Sequence, residues 1–201
     1  IQIGVLRQRQ TYRKLPAQRF AIDAAGEAAF AAALPFEFTN AQRRASLAIR
    51  DDLDGDQPMS RLLQGDVGSG KTAVAADAIW AVVANGGQAA MMAPTEILAE
   101  QHYRSLSNLF EKLTVGDRPV QVALLTGNVK GVERAATLDG LASGQIDVAI
   151  GTQALIQEGV AFHNLGLAII DEQHRFGVRQ RAMLRDKGPE TEGGPDESPV
   201  P

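Results

Sequence analysis

Gly65-Asp-Val-Gly-Ser-Gly-Lys-Thr72 is the stretch of this 201-residue sequence that decides the fold. It has the phosphate-loop pattern, in which a glycine and four further residues precede Gly-Lys and then Ser or Thr. Glycines let successive backbone N–H groups turn toward one anion at a helix N-terminus, where the helix dipole assists. Residues 61–64 are predicted to form the strand before the loop, and Lys71 to open a helix after it. A chance glycine-rich turn would lack that context, so we interpret the stretch as a nucleotide site.

The residue types of this loop predict separate roles. Lys71 is predicted to neutralise the β- and γ-phosphates, and the Thr72 hydroxyl to hold Mg²⁺. The remaining residues of the predicted phosphate cradle are Gly65, Gly68, Ser69 and Gly70.

A pair of acidic residues, Asp171-Glu172, follows an apolar run at 167–170. At the carboxyl edge of a parallel sheet, such a pair faces the ligand crevice. Asp171 is predicted to hold the Mg²⁺ shell, and Glu172 to orient or deprotonate the attacking water. An isolated acidic pair after a strand is usually only the start of a loop. Because a phosphate loop is predicted in the same sheet, the sequence favours nucleotide hydrolysis over binding alone.

Short apolar runs alternate with amphipathic stretches along the rest of the chain. The predicted strands are 61–63, 89–92, 120–125, 147–150 and 167–170, and the predicted helices are 40–53, 71–84, 96–113, 130–143 and 175–185. Thr39 and Thr95 are predicted helix caps, and Asn85-Gly86-Gly87 a helix stop. This alternation predicts an α/β fold with a parallel, doubly wound sheet.

Composition excludes several classes of protein. Hydrophobic residues make up 44% of the chain, which is enough for a core, and cysteine is absent. Disulfide frameworks and cysteine chemistry are therefore excluded, and a reducing, cytoplasmic location is consistent with the sequence. No run of eighteen apolar residues predicts a membrane span, and no secretory signal opens the chain. Aromatic residues are few, at 5%, which argues against a base-stacking platform.

Composition also divides the chain into three regions. Residues 1–35 are predicted to be a helical connection with a basic start, which is more typical of a solvated helix face than of a nucleic-acid contact. Residues 36–187 form the predicted body. Residues 188–201 carry four acidic and no basic side chains, and they account for the whole net charge of −4. This last stretch is predicted to be a disordered tail or loop.

The order of these motifs resembles that of superfamily 2 helicases, and Asp171-Glu-Gln-His174 narrows the resemblance to the first motor domain of the bacterial RecG family. The resemblance covers about residues 36–187. Its other motifs are 63–72, 92–102, 124–127 and 150–156. The related transcription-repair coupling factors usually have Asp-Glu-Glu-His in the second motif, so Gln173, together with Ser69, favours the RecG family.

The resemblance implies a RecA-like P-loop domain with a mostly parallel sheet flanked by helices, and ATP and Mg²⁺ as its cofactors. It places Phe36 near the adenine and Gln42 on the adenine edge, where a carboxamide can both donate and accept. It also implies that His174 couples the ATP site to the DNA side. From the residues alone, Phe36 would be a core residue and Gln42 a residue of a helix surface.

Three short segments follow strands and precede helices: Pro94-Thr95, Thr126-Gly127 and Gly151-Thr152. Hydroxyls and N–H groups at helix starts can bind DNA phosphates, and ordinary capping is compatible with that role. His102 and His163 lack metal-ligand spacing and are expected to be surface or partly buried structural residues. The series Arg175, Arg179, Arg181 and Arg185 is equally consistent with phosphate binding, an adjacent domain or a solvated face.

The resemblance implies an ATP-dependent DNA helicase acting on branched DNA, such as stalled forks and four-way junctions, in recombination and repair. This chain would be the ATP-binding half of the motor, and the second motor domain and the wedge domain would belong to the same parent chain. No Thr-Ala-Thr-Pro-type segment follows Asp171, and this sequence lacks the second motor domain with the arginine that would complete the ATP site. We therefore expect nucleotide binding but little hydrolysis from this chain alone. The alternatives are a transcription-repair DNA translocase, a non-motor P-loop nucleotide switch and a purely structural fragment.

Overall fold

Four parallel strands form the central sheet of this computed structural model, which describes residues 17–185 and residue 187. They are β1 (Gln88–Met92), β4 (Val122–Leu125), β5 (Val148–Gly151) and β6 (Leu165–Ile170), in the order β4-β5-β1-β6. Every neighbouring pair is parallel. A small antiparallel hairpin, β2 (Thr114–Val115) and β3 (Arg118–Pro119), lies outside this sheet. The predicted parallel α/β sheet is confirmed.

Helices cover both faces of the sheet. They are α1 (Ala24–Ala33), α2 (Asn40–Leu53), α3 (Lys71–Ala84), α4 (Glu96–Phe110), α5 (Gly131–Ser143) and α6 (Val178–Arg185). Buried residues of α1 to α4 pack on one face in a core that includes Met91 and Ile150. Residues of α5, α6 and the 3-10 helix Gln153–Ile156 pack on the other face with Met92 and Ala149. Alternate strand residues thus serve two cores, as a doubly wound sheet requires.

Local sequence explains where the best-predicted helices begin and end. Thr39 and Gln42 form a capping box at the start of α2, and the Thr95 hydroxyl accepts from the N–H of Leu98 at the start of α4. At the end of α3, Gly86 adopts the left-handed backbone with φ 76°. The predicted ranges 40–53 and 71–84 and the predicted caps are therefore confirmed.

One predicted strand is absent: residues 61–64 form no strand, and the Leu62 side chain is 57% exposed. A strand needs a neighbour for its N–H and C=O groups. Within residues 17–185, the edge strand β6 pairs only with β1, and residues 61–64 join neither edge of the sheet. The P-loop instead follows a segment without regular secondary structure, in which Leu63 packs against the core.

Several predicted boundaries also needed correction. Helix α4 ends at Phe110 rather than at 113, because the chain turns into the β2–β3 hairpin around Gly116, whose φ is 58°. A 3-10 helix, Gln173–Arg175, precedes α6, which begins at Val178 and not at 175. Strand β4 begins at Val122 rather than at 120. The predicted acidic tail, 188–201, lies outside the described residues, as does the basic start except for Arg19, which pairs with Asp54. Among residues 17–185, no helix is long and apolar enough to cross a membrane.

A buried ionic cluster fixes α2 against α3. Asp77 of α3 is 1% exposed and binds the Ser46 hydroxyl and the guanidinium of Arg50, both from α2, with Nε of Arg50 2.8 Å from Oδ2 of Asp77. Arg50 also contacts Glu27 of α1 at 2.5 Å. Because α2 carries Gln42 and α3 begins at the P-loop, this cluster sets the relative position of the two parts of the predicted nucleotide site.

Asp77→Ala is expected to reduce the free energy of unfolding by about 3–5 kcal/mol, because it leaves Arg50 largely buried without its main partner. Urea denaturation followed by circular dichroism measures the change. The control is Asp54→Ala, which removes the exposed partner of Arg19 and should cost at most about 1 kcal/mol. Equal, small losses in both variants would contradict a structural role for the cluster.

Candidate nucleotide site and the adjoining strand ends

The P-loop turns at two glycines with left-handed backbone. Gly68 has φ 80°, and Gly70, with φ 79°, is the N-cap of α3. Nζ of Lys71 donates to the carbonyls of Gly65 and Asp66, at 2.8 Å each, so the ammonium group lies across its own loop. The first N–H groups of a helix have no partner within the helix. The loop thus combines a cation and a helix N-terminus, as phosphate binding requires.

Gln42 joins the predicted adenine-binding segment to the P-loop. Its Oε1 accepts from the N–H of Thr39 at 2.8 Å, and its Nε2 donates to the carbonyl of Ser69 at 2.9 Å. The carboxamide keeps one further N–H and one further lone pair for a base edge. A Cβ on Gly70 would displace Nε2 of Gln42, and the φ of 79° at this position also favours glycine. Phe36 is 50% exposed, so the prediction from the residues alone that it is a core side chain is wrong.

Asp171 lies at the carboxyl end of β6, where its N–H donates to the carbonyl of Met92 at 2.9 Å. Its Oδ2 is 2.8 Å from Nε2 of His102, and its Oδ1 accepts from the N–H of Glu172 at 2.9 Å. The hydrogen bond from His102 is the main reason that the pKa of Asp171 lies below its ordinary value; the positive charge of Lys71 acts in the same direction. The fold therefore brings Asp171 within electrostatic range of the P-loop lysine.

Glu172 has a strained backbone. Its φ of 47° and ψ of 51° are left-handed, and no other residue except glycine in the described part of the chain has a positive φ. Such a conformation costs on the order of 1 kcal/mol or more and often occurs at functional sites. The Glu172 carboxylate pairs with Nε of Arg175 at 3.0 Å, and both side chains are partly exposed. The Glu172 carboxylate is therefore accessible to solvent at the end of β6.

The three histidines lie in different surroundings. His102 contacts Asp171, 69 residues away, and no local pattern in the sequence indicates this contact. His163 packs against Gly144, as expected of a structural residue. The backbone of His174 lies in the 3-10 helix Gln173–Arg175, and its coupling role stays a prediction because its side chain is outside what the structure describes.

The three predicted DNA-contact segments lie after β1, β4 and β5, at the same edge of the sheet as Asp171. Thr95 caps α4, and Pro94 precedes it. Thr126 is buried, and its hydroxyl accepts from the N–H of Asn128 at 3.4 Å, so it shapes its loop from inside. Thr152 is the N-cap of a 3-10 helix, and its N–H donates to the carbonyl of Leu125.

The loops after β1 and β4 are joined by a side-chain hydrogen bond. Nδ2 of Asn128 is 2.5 Å from Oε2 of Glu96, the first residue of α4. Gly127 lies against the same carboxylate, because a Cβ added to this glycine would be 3.3 Å from Oε1. No local pattern indicates the contact between Asn128 and Glu96, since the two residues lie 32 positions apart. Glu96 therefore holds two of the predicted DNA-contact segments together.

Gly151 has a structural role that the sequence prediction missed. It is buried at the end of β5, where a Cβ would overlap the backbone oxygen of Leu125 in β4.

Gly151→Ala is expected to reduce the free energy of unfolding by about 2–3 kcal/mol, since β4 and β5 must separate to admit the methyl group. Thermal unfolding measures the change. The control is Gly159→Ala, because a Cβ on that glycine meets no other atom and only its φ of 81° opposes the substitution. A smaller loss of stability in Gly151→Ala than in Gly159→Ala would contradict the expected clash.

Of the arginine series, Arg175 pairs with Glu172 and Arg179 is exposed. The side chains of Arg181 and Arg185 lie outside the described part of the structure. The choice among their predicted roles therefore stays open.

The sequence and the fold both match known helicases. A family profile described as DEAD/DEAH box helicase matches residues 39–188. The ATP-dependent DNA helicase RecG of Bacillus subtilis is 57% identical over 159 residues, which are 79% of this chain and 23% of that protein. RecG of Thermotoga maritima is 55% identical over 159 residues, which are 79% of this chain and 20% of that protein. The chain thus spans less than a quarter of the length of these curated relatives.

Solved structures give the same result. A structure of RecG bound to a three-way DNA junction is 48% identical, with a TM-score of 0.74, and the match covers 87% of this chain and 23% of that one. A hypothetical ATP-dependent RNA helicase from Sulfolobus tokodaii, 19% identical with a TM-score of 0.57 over 83% of this chain and 47% of that one, shares the fold. The resemblance to RecG seen in the sequence motifs is confirmed, and the chain belongs to the DEAD/DEAH box helicase family.

Proposed function

We propose that this chain is the ATP-binding half of the motor of a DNA helicase that acts on branched DNA in recombination and repair. The observation that carries the proposal is that one chain holds a P-loop at the start of α3, with Lys71 lying across it, and Asp171 at the carboxyl end of β6 in the parallel sheet. The names of the relatives support it, since they describe ATP-dependent DNA helicases. One solved relative is described as bound to a three-way DNA junction.

The residues present fit Mg²⁺ that arrives with ATP. Thr72 and Asp171 offer oxygen donors, and Mg²⁺ commonly binds one or two protein oxygens while phosphates and water complete its shell. Both oxygens of Asp171 accept one hydrogen bond each, which leaves a lone pair on each for a metal-bound water. When bound, Mg²⁺ would neutralise charge on the β- and γ-phosphates.

The side chains of the site would then act in distinct ways. Lys71 would exchange the carbonyls of Gly65 and Asp66 for phosphate oxygens. Phe36 would lie against the adenine, and Gln42 would bind its edge with its remaining N–H and lone pair. Glu172 would orient the attacking water and accept its proton, which requires release from Arg175 or a shared contact with it. His174 would couple nucleotide binding at the P-loop to the DNA-contact segments.

The strand ends would form part of the DNA track. Pro94-Thr95, Gly127 and Gly151-Thr152 lie at the ends of β1, β4 and β5, where the hydroxyls of Thr95 and Thr152 and other N–H groups of these loops would bind phosphates without reading sequence. Thr126 would act by shaping its loop. Forked and four-way DNA are the proposed substrates, and a second motor domain and a wedge domain of the same parent chain are the proposed partners.

ATP turnover by the full-length protein tests the proposal. Forked DNA and linear duplex of equal length are compared, and Lys71→Ala sets the background. Stimulation selective for forked DNA and lost in that variant supports the proposed function. Equal stimulation by linear duplex would favour a transcription-repair translocase, and no response to DNA would favour a plain P-loop switch.

A further inference from the structure

His102 contacts the carboxylate of Asp171 but has no part in the function proposed above. Nε2 of His102 lies 2.8 Å from Oδ2 of Asp171, and the two side chains are 14% and 30% exposed. An ionised carboxylate can only accept, so Nε2 carries the hydrogen of this bond. The bond joins α4 to the end of β6.

This bond completes the fixation of the Asp171 carboxylate. Oδ1 already accepts from the N–H of Glu172 at 2.9 Å, and His102 holds Oδ2. With one donor on each oxygen, the carboxylate group is fixed in its plane while each oxygen keeps a lone pair. Side chains that orient a metal-binding group in this way commonly change metal affinity 10–100-fold.

The same histidine lies on the helix that starts at a predicted DNA contact. Thr95 is the N-cap of α4, and His102 follows it by seven residues, or two helical turns. Residues at this spacing lie on the same face of a helix. A displacement of the Thr95 end would therefore move the donor at Asp171, since α4 is one continuous helix.

We infer that His102 is a positioning residue that fixes the Asp171 carboxylate for Mg²⁺–nucleotide and links it, through α4, to the DNA-contact segment at Thr95. The inference rests on the proposed function, because it needs Asp171 to serve the nucleotide and Thr95 to lie on the DNA track. It adds a second connection between the nucleotide site and the DNA-contact segments, separate from the one predicted for His174.

Nucleotide binding by the full-length protein tests the first part without turnover. The dissociation constant of a fluorescent ATP analogue is measured in Mg²⁺ and in EDTA for the wild type, His102→Leu and His102→Gln. Leucine removes the donor and is expected to weaken binding in Mg²⁺ about 10-fold, with no change in EDTA. Glutamine, whose amide can reach the position of Nε2, should restore most of the affinity. Arg104→Ala, an exposed residue of the same helix paired with Glu100, should match the wild type.

Equal Mg²⁺ dependence in the wild type and His102→Leu would overturn the inference, and so would an equal loss of affinity in EDTA, which would assign His102 a structural role. If circular dichroism shows that the leucine variant is unfolded, His102→Gln is compared with His102→Asn, whose shorter amide does not reach Asp171. The same affinity in both would then overturn the inference. Absence of Mg²⁺-dependent binding in the wild type would instead contradict the proposed function.

The second part is tested by the ratio of ATP turnover with and without forked DNA. His102→Leu is expected to lower this ratio several-fold, and Arg104→Ala to leave it unchanged. An unchanged ratio in a leucine variant with weakened Mg²⁺-dependent binding would overturn the link through α4. A lowered ratio that glutamine restores would support it.

Discussion

Glu172→Gln is expected to lower the ATP turnover number of the full-length protein by about 100-fold or more, with nucleotide affinity changed less than about threefold. Glutamine keeps the size of the side chain but cannot accept a proton from water, and a positioned general base contributes on the order of 10²–10⁴ in rate. The strained backbone of Glu172 and its place directly after Asp171 support this role. Phosphate release at saturating ATP and forked DNA measures turnover, and a fluorescent ATP analogue measures affinity.

A matched control for this variant is Glu100→Gln on α4, which removes a carboxylate from an exposed pair with Arg104. It should leave turnover unchanged. Retention of more than about a third of the wild-type turnover by Glu172→Gln would contradict a role as general base. Strong loss of both turnover and affinity would indicate that Glu172 supports the loop rather than the chemistry.

Lys71→Ala is expected to weaken ATP binding by about 10- to 150-fold and to abolish DNA-stimulated turnover. The substitution removes a charged donor, which contributes about 1.5–3 kcal/mol per hydrogen bond. In the structure, this ammonium group already donates to two loop carbonyls, so the same reach is available for phosphate oxygens. Isothermal titration with ATP and Mg²⁺ measures the affinity.

Lys112→Ala is the control for lost positive charge, since Lys112 donates to the carbonyl of Ala33 and has no place in the predicted site. Its ATP affinity should equal that of the wild type. If Lys71→Ala binds ATP as tightly as Lys112→Ala, the P-loop is not the nucleotide site. Because the binding measurement needs no DNA, it separates the nucleotide site from the DNA track.

Features with a local cause were predicted well from the sequence. The range of α2 follows from a capping box at Thr39 and Gln42, and the range of α3 from a glycine N-cap and a glycine stop. The P-loop and the acidic pair are short motifs, and the acidic pair directly follows the end of β6. Each of these inferences needs only residues within a few positions of one another.

Features with a distant cause were missed. Residues 61–64 have the composition of a strand, but a strand needs a partner, and the described sheet provides none. The contact of His102 with Asp171 and that of Glu96 with Asn128 depend on how separate loops meet. The β2–β3 hairpin is anchored by Arg118, whose guanidinium binds both oxygens of the buried Asp147 at 2.6 and 2.7 Å. None of these partners can be read from the periodicity of one segment.

The strand order has a consequence for synthesis on the ribosome. Strand β1 lies inside the sheet, between β5 and β6, and both neighbours are translated after it. About 55 residues separate the end of β1 from the start of β5, which at roughly 5–20 residues per second is some 3–11 seconds. During that time, the apolar residues of β1 have neither of their final neighbours. The nascent chain therefore carries an unpaired apolar strand for seconds, a period in which a chaperone or a pause in translation would affect the yield of folded protein.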